Sequence, residues 1–230
     1  MVKFMEKKQK QPKSLPKRES LSYPKLLVSI PATLTSHMQF RAQVVDAIKA
    51  ALGEVPHTFD LSEPNNLGWD FVVEAYNKVA DRVVAEGFDY VLIVESDVVI
   101  PKNALSHLLA QNVDVAVAVV PFHSYPKNPA LNEMYKDIVC AGVFLDPDYV
   151  RPVTNGKLEE YKEKVVTFKD GLLVAGTGCI LIKRCVFEGG IRFINNFAVA
   201  SFDVYFWRDI RKAGFSAAID GYVVCEHLGV

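Results

Sequence analysis

Apolar residues fall in short continuous runs, separated by stretches in which they recur every three or four positions. The first run, KLLVSIPA at 25–32, reads as a strand ending at Pro31. Over 37–52, Phe40, Val44, Val45, Ile48 and Leu52 keep helical spacing and Gly53 follows, which predicts a helix. HTFDLSE (57–63) reads as a short second strand and NNLG (65–68) as a loop. A second helix is predicted over 69–86, with Phe71, Val72, Ala75, Val79 and Val83 on one side and Gly87 beyond its end. YVLIV (90–94) is apolar throughout, as in a strand covered on both faces of a parallel sheet. Pro101 opens a helix running to about Gln111, and 113–120 is the next strand.

This alternation predicts an α/β fold: one open, mostly parallel sheet with helices on both faces. Beyond Pro121 the pattern loosens. Residues 122–135 read as a loop, and 139–146, 164–171 and 172–184 as strands, some antiparallel. A helix over 202–213 stops at Gly214, and 217–229 forms a last strand and tail. A small antiparallel C-terminal part is therefore expected beside the main sheet.

The 230 residues suffice for one sizeable core, so a single domain is expected over 25–230. Residues 1–24 differ, with seven Lys or Arg, two Glu and three Pro, and read as a flexible basic arm suited to weak contact with an anionic membrane surface. The 26 basic and 27 acidic residues nearly cancel, so bulk charge argues neither for nor against a nucleic-acid partner. No apolar run reaches the ~18 residues of a membrane span. The N-terminus lacks the apolar stretch of a signal peptide, and a cytoplasmic location is expected. Cys140, Cys179, Cys185 and Cys225 lack metal-type spacing and read as buried free thiols.

Glu95 and Asp97 interrupt the apolar pattern just after the third strand. Ligands of open α/β sheets bind at the carboxyl ends of the strands. If the chain stays extended, a spacing of two turns both carboxylates to one side. Burying them is costly unless something offsets their charge. Mg²⁺ or Mn²⁺ does so in many sites, held by one or two carboxylates together with substrate phosphates. The alternative is a cap or surface ion pairs at the next helix. No GxSxG or P-loop is present, and no GxGxxG follows the first strand, which weighs against hydrolase, ATPase and dinucleotide readings. His37, His57 and His107 read as structural.

Four segments in order resemble the GT-A glycosyltransferases, especially the family 2-like group. YVLIVESDVVIPKNALSHLL (90–109) resembles the region of that family's DxD motif. AYNKVADRVVAEGFDY (75–90) is similar to the helix before it, GTGCILIKRCVFE (176–188) to a later strand and turn, and SFDVYFWRDIRKAGFSAAIDGYVVCEHLG (201–229) to the closing segment. The resemblance implies a GT-A, Rossmann-like single domain using Mn²⁺ or Mg²⁺. Its partners would be a nucleoside-diphosphate sugar donor and a glycan, lipid or protein acceptor, with no nucleic acid. Three positions depart from the pattern. Glu95 stands for the first Asp of the motif, Tyr76 for an Arg before Asn77, and Phe202 for an acid before Asp203.

The resemblance also implies roles. Asp97 would ligate the metal directly, His227 would be a further ligand, and Glu95 would act through water or on the donor ribose. Asp203 would be the base of an inverting transfer; as a residue it equally suits a helix N-terminus. Pro31, Ala32, Thr33, Asp60 and Asn77 would meet the nucleotide. Gly176, Thr177 and Gly178 would shape the sugar and acceptor pocket. Among the aromatics Phe122, His123, Tyr125, Tyr205 and Trp207, Trp207 is the chosen sugar-stacking residue, against the simpler reading of a helix's core face. Two competing readings are a nucleotidyltransferase and a non-catalytic nucleotide- or carbohydrate-binding scaffold.

Overall fold

The computed structural model describes residues 24–31, 39–53, 55–61, 69–122, 138–144, 156–170, 172–194 and 202–228. The expected basic arm up to residue 23, together with Ala32, Thr33, His37, His123 and Tyr125, lies outside them.

In chain order the elements are β1 (Leu26–Ile30), α1 (Arg41–Leu52), β2 (His57–Leu61), α2 (Trp69–Ala85), β3 (Tyr90–Val94), β4 (Val98–Val99), α3 (Ala104–Ala110) and β5 (Val115–Val119). Then come β6 (Ala141–Phe144), α4 (Leu158–Tyr161), β7 (Val165–Thr167), β8 (Leu172–Ala175), β9 (Cys179–Lys183), α5 (Arg184–Glu188), α6 (Phe202–Lys212), β10 (Ala217–Val224) and β11 (Glu226–His227). Seven strands form one sheet in the order β2-β1-β3-β9-β5-β10-β7. The β1–β2, β1–β3 and β5–β10 pairs are parallel, while β9 runs antiparallel between β3 and β5, and β7 antiparallel to β10. The pairs β4–β11 and β6–β8 are small antiparallel sheets. The fold is thus the expected mixed α/β class with a mostly parallel central sheet.

The strands β3 and β5 are apolar at every position because the sheet is covered twice. Leu27, Val91, Ile93, Val117, Ile180 and Ile219 face one core with the α2 residues Val72, Tyr76, Val79 and Val83 and the α6 residues Phe206 and Ile210. Their strand neighbours Leu26, Val28, Leu92, Val94, Ala116 and Leu181 face the other, with Val44 and Ile48 of α1 and Leu105 and Leu108 of α3. The alternation along each strand sorts one run of apolar residues into two cores. Gly87 ends α2 at φ 65°, a conformation that glycine adopts without steric cost.

The second half differs from the reading in detail. Residues 158–161 form a helical turn that no apolar periodicity announced, and the strand expected over 164–171 shortens to β7 followed by a 3₁₀ turn at Phe168–Asp170. The apolar stretch 172–184 is two strands, β8 and β9, broken at 176–178. Gly221 explains why α4 can dock here. A Cβ at this position would lie 1.6 Å from the Tyr161 carbonyl oxygen, and the Gly221 amide donates to Lys164 O at 2.7 Å. The cysteines are free as expected, but Cys185 is exposed and Cys140 only half-buried.

Candidate functional site

One end of the sheet gathers the chemistry. β1 is followed by the buried Pro31, β3 by Glu95 and β5 by Val120 and Pro121, and β9 is entered through Gly176, Thr177 and Gly178. The Glu95 amide donates to Gly178 O at 2.9 Å, joining the exit of β3 to the entrance of β9.

After Glu95 the chain does not stay extended. The Val98 amide donates to Glu95 O at 3.0 Å, closing a turn with Ser96 and Asp97 at its centre. The chain between the two carboxylates is therefore a turn and not the extended strand expected of it. Asp97 is 2 % exposed. The chain then forms β4, where Val98 pairs with His227 of β11. The Leu228 amide seals this return by donating to Asp97 O at 2.8 Å. His227 Nε2 consequently lies 3.4 Å from Asp97 Oδ2, and its Nδ1 lies 2.7 Å from Pro121 O.

Glu95 is held by two side-chain hydroxyls. Its Oε1 accepts hydrogen bonds from Thr177 Oγ1 at 2.9 Å and from the Tyr76 hydroxyl at 3.1 Å. Burial and repulsion by Asp97 raise its pKa above the usual carboxylate range, against the opposing pull of His227 and the two hydroxyls. Burial lowers the His227 pKa, but hydrogen bonding and attraction to Asp97 outweigh it, and the net shift is upward. The Tyr76 hydroxyl is pushed far up by burial and by the charges of Glu95 and Asp203, so it stays a neutral donor. Burial, and then the charges of Glu95, Asp203 and Asp97, push the Cys140 thiol up to about 12. Cys140 thus feels all three carboxylates and is not a nucleophile at neutral pH.

Asp203 stands in the first turn of α6, partly exposed, and accepts from the Val204 amide at 2.8 Å. It suits a helix N-terminus, as its residue type predicted, and keeps a solvent-facing side.

Several residues expected at the ligand also have structural partners. Both ends of the Asn77 amide bond the Phe193 backbone at 2.9 Å, so Asn77 clamps 191–194 to α2. Trp207 is 0 % exposed and its indole donates to Ala175 O at 2.7 Å, which corrects the expected sugar-stacking role: a fully covered ring presents no face. Asp60, on the edge strand β2, forms a half-exposed ion pair with Arg82 at 3.2 Å. Gly176 and Gly178 are tight packing positions, where a Cβ would meet Cys140 at 2.9 Å and Val120 at 3.2 Å. Sequence reasoning missed the hydroxyl pair on Glu95 and the half-buried Cys140. The signal for Tyr76 was its helical phase with Val72, Val79 and Val83, which turns it toward the sheet.

Among the described residues no group of three or more His, Cys, Asp or Glu converges as a metal site, so Glu95 does not complete a set with Asp97 and His227. The pair itself fits a divalent cation. A ring held at Nδ1 by a backbone carbonyl points its Nε2 at a buried carboxylate, the arrangement of a metal-ligating imidazole. One imidazole nitrogen and one carboxylate, with Glu95 adding negative charge nearby, leave most coordination positions to oxygen ligands from elsewhere.

No protein-family model and no curated protein matches the sequence. Solved structures with a similar fold include A197 from STIV, at 13 % identity and TM-score 0.48 over 89 % of this chain and 85 % of that one. GalNAc-T7, solved with UDP, GalNAc and Mn²⁺, shows 10 % identity and TM-score 0.49 over 91 % of this chain and 44 % of its own. CMP:2-keto-3-deoxy-manno-octonic acid synthetase, complexed with CTP, shows 10 % identity and TM-score 0.48 over 90 % of each chain. At these identities and scores the likeness carries no argument about residues or activity. In the described residues no helix is long and apolar enough to cross a membrane.

Proposed function

We propose that the chain is a metal-dependent GT-A-type glycosyltransferase that moves a sugar from a nucleoside diphosphate to an acceptor hydroxyl with inversion. The observation that carries this reading is the Asp97–His227 pair, assembled by β4–β11 pairing at the carboxyl end of a mostly parallel sheet. Asp97 and His227 would hold Mn²⁺ or Mg²⁺, and the imidazole favours Mn²⁺. When bound, the cation supplies Lewis-acid stabilisation of the departing diphosphate. The Leu228 amide fixes the Asp97 backbone, and the Pro121 carbonyl fixes the His227 ring at Nδ1. Glu95 offers Oε2 to a donor hydroxyl while its Oε1 is engaged by Tyr76 and Thr177. Asp203 accepts the acceptor hydroxyl's proton, and its partial exposure suits a group that meets an incoming acceptor. Pro31 and the residues after it would line the base, and Thr177 the sugar side.

The test is product analysis. The protein is incubated with a panel of nucleoside-diphosphate sugars and Mn²⁺, and the reading expects slow metal-dependent release of nucleoside diphosphate and free sugar. Release of pyrophosphate from nucleoside triphosphates, with nothing from the sugars, supports a nucleotidyltransferase instead. Binding without either reaction supports a non-catalytic scaffold.

A further inference from the structure

Tyr76 is 0 % exposed, and it reaches four separate parts of the molecule from one position on α2. Its hydroxyl donates to Glu95 Oε1 at 3.1 Å and lies 3.2 Å from Thr177 Oγ1. Its ring centroid lies 5.0 Å from that of Phe193 and 5.6 Å from that of Phe202. Phe202 opens α6 immediately before Asp203. Phe193 stacks on Phe206 one turn along α6, with centroids 4.4 Å apart. The neighbouring Asn77 clamps the Phe193 backbone from the other side. Two of the three carboxylates given chemical roles above therefore share one support: Glu95 through a hydroxyl, Asp203 through the aromatic seat of its helix.

We propose that Tyr76 is a positioning residue that couples the Glu95 carboxylate to the Asp203 end of α6, so that the two are held in one fixed relation. This rests on the proposed glycosyl transfer. Glu95, Tyr76 and Phe202 are also the three positions at which the chain departs from the pattern it resembles, and here they touch in series. The longer Glu95 side chain carries its carboxylate to a buried hydroxyl, and the ring bearing that hydroxyl packs on Phe202. With both donors on Oε1, the carboxylate is fixed in rotation and Oε2 is the atom left for a ligand. Preorganisation of this kind acts on turnover more than on binding.

Two variants separate the effects. Tyr76→Phe keeps the ring and removes the hydroxyl; Thr177→Val removes the second donor. The nucleoside diphosphate bound most tightly with Mn²⁺ identifies the matching sugar donor, whose hydrolysis is then followed. The expected result is diphosphate affinity within about threefold of wild type and a kcat lowered about tenfold or more in Tyr76→Phe and Thr177→Val. Wild-type kcat in Tyr76→Phe, or affinity and kcat falling together, overturns the proposal. A ligand-free measurement decides the coupling on its own: amide signals of the ¹⁵N-labelled protein. Tyr76→Phe is expected to move the signals of Glu95, Thr177 and Val204 together. Movement of the first two with Val204 unchanged overturns the coupling. If wild type binds no diphosphate, the glycosyltransferase reading falls and this spectrum alone judges Tyr76.

Discussion

His227 Nε2 lies 3.4 Å from Asp97 Oδ2, although the two residues belong to opposite halves of the chain. The register of β10 on β5 shifts between Asp220 and Val224, and the chain then returns along β4. Backbone pairing, rather than the side chains themselves, brings the two groups together.

The pair has opposite pH behaviour with and without a cation. Protonated His227 stabilises the metal-free fold, fully below the unfolded imidazole pKa of about 6.5, and that contribution is lost as pH rises through the raised folded value. A metal needs the neutral ring. Mn²⁺ affinity is therefore expected to rise from pH 6 to pH 8, while the stability gap between metal-free wild type and His227→Ala narrows. Calorimetry at the two pH values checks the first and chemical denaturation the second. His227→Ala should lower Mn²⁺ affinity by about tenfold or more.

Asp203→Asn is nearly isosteric and retains the oxygen that accepts the Val204 amide. Sugar release should fall by about a hundredfold or more, the usual contribution of a general base, with diphosphate affinity unchanged. Steady-state kinetics beside calorimetry reads both. Unchanged turnover assigns Asp203 to the helix terminus alone.

Much of this was legible in the residues, and the failures have physical causes. The first half could be read because β3 and β5 are continuous apolar runs, and β1 nearly so, between amphipathic helices, and covering both sheet faces produces that signal. After Pro121 the strands are short and β9 inserts antiparallel, so periodicity carried less information. Glu95 and Asp97 were found as charges in an apolar run, but their turn was not, since only the Val98–Glu95 backbone bond reveals it. Trp207 shows the limit of residue type: the same indole suits a sugar or a core, and the Ala175 carbonyl decides for the core.

Gly221 is a packing constraint with a direct test. A Cβ 1.6 Å from the Tyr161 carbonyl oxygen forces the α4 backbone away from β10. Gly221→Ala is expected to destabilise by about 1–3 kcal/mol or more, as overpacking does, measured by urea unfolding.

Asp114 ties strand ends together away from the site. Its carboxylate accepts from the Ser216 amide at 2.9 Å and hydroxyl at 2.7 Å, and Lys183 lies 3.4 Å away. Burial opposes its charge, yet the Ser216 bonds and Lys183 hold its pKa below the usual value. Its contribution is present above the unfolded carboxylate pKa of about 3.9 and is lost as pH falls through the lowered folded value. Asp114→Asn should cost about 1–2 kcal/mol at pH 7, with the gap closing in acid; urea unfolding at pH 7 and pH 3 checks it.

The central claim is that Asp97 and His227 hold a cation that in turn holds a diphosphate. Calorimetric titration of nucleoside diphosphates, with and without Mn²⁺, into wild type and Asp97→Ala tests it most directly. Mn²⁺-dependent binding to wild type that disappears in folded Asp97→Ala is the result this account predicts. Binding that ignores Mn²⁺, or survives in Asp97→Ala, contradicts it.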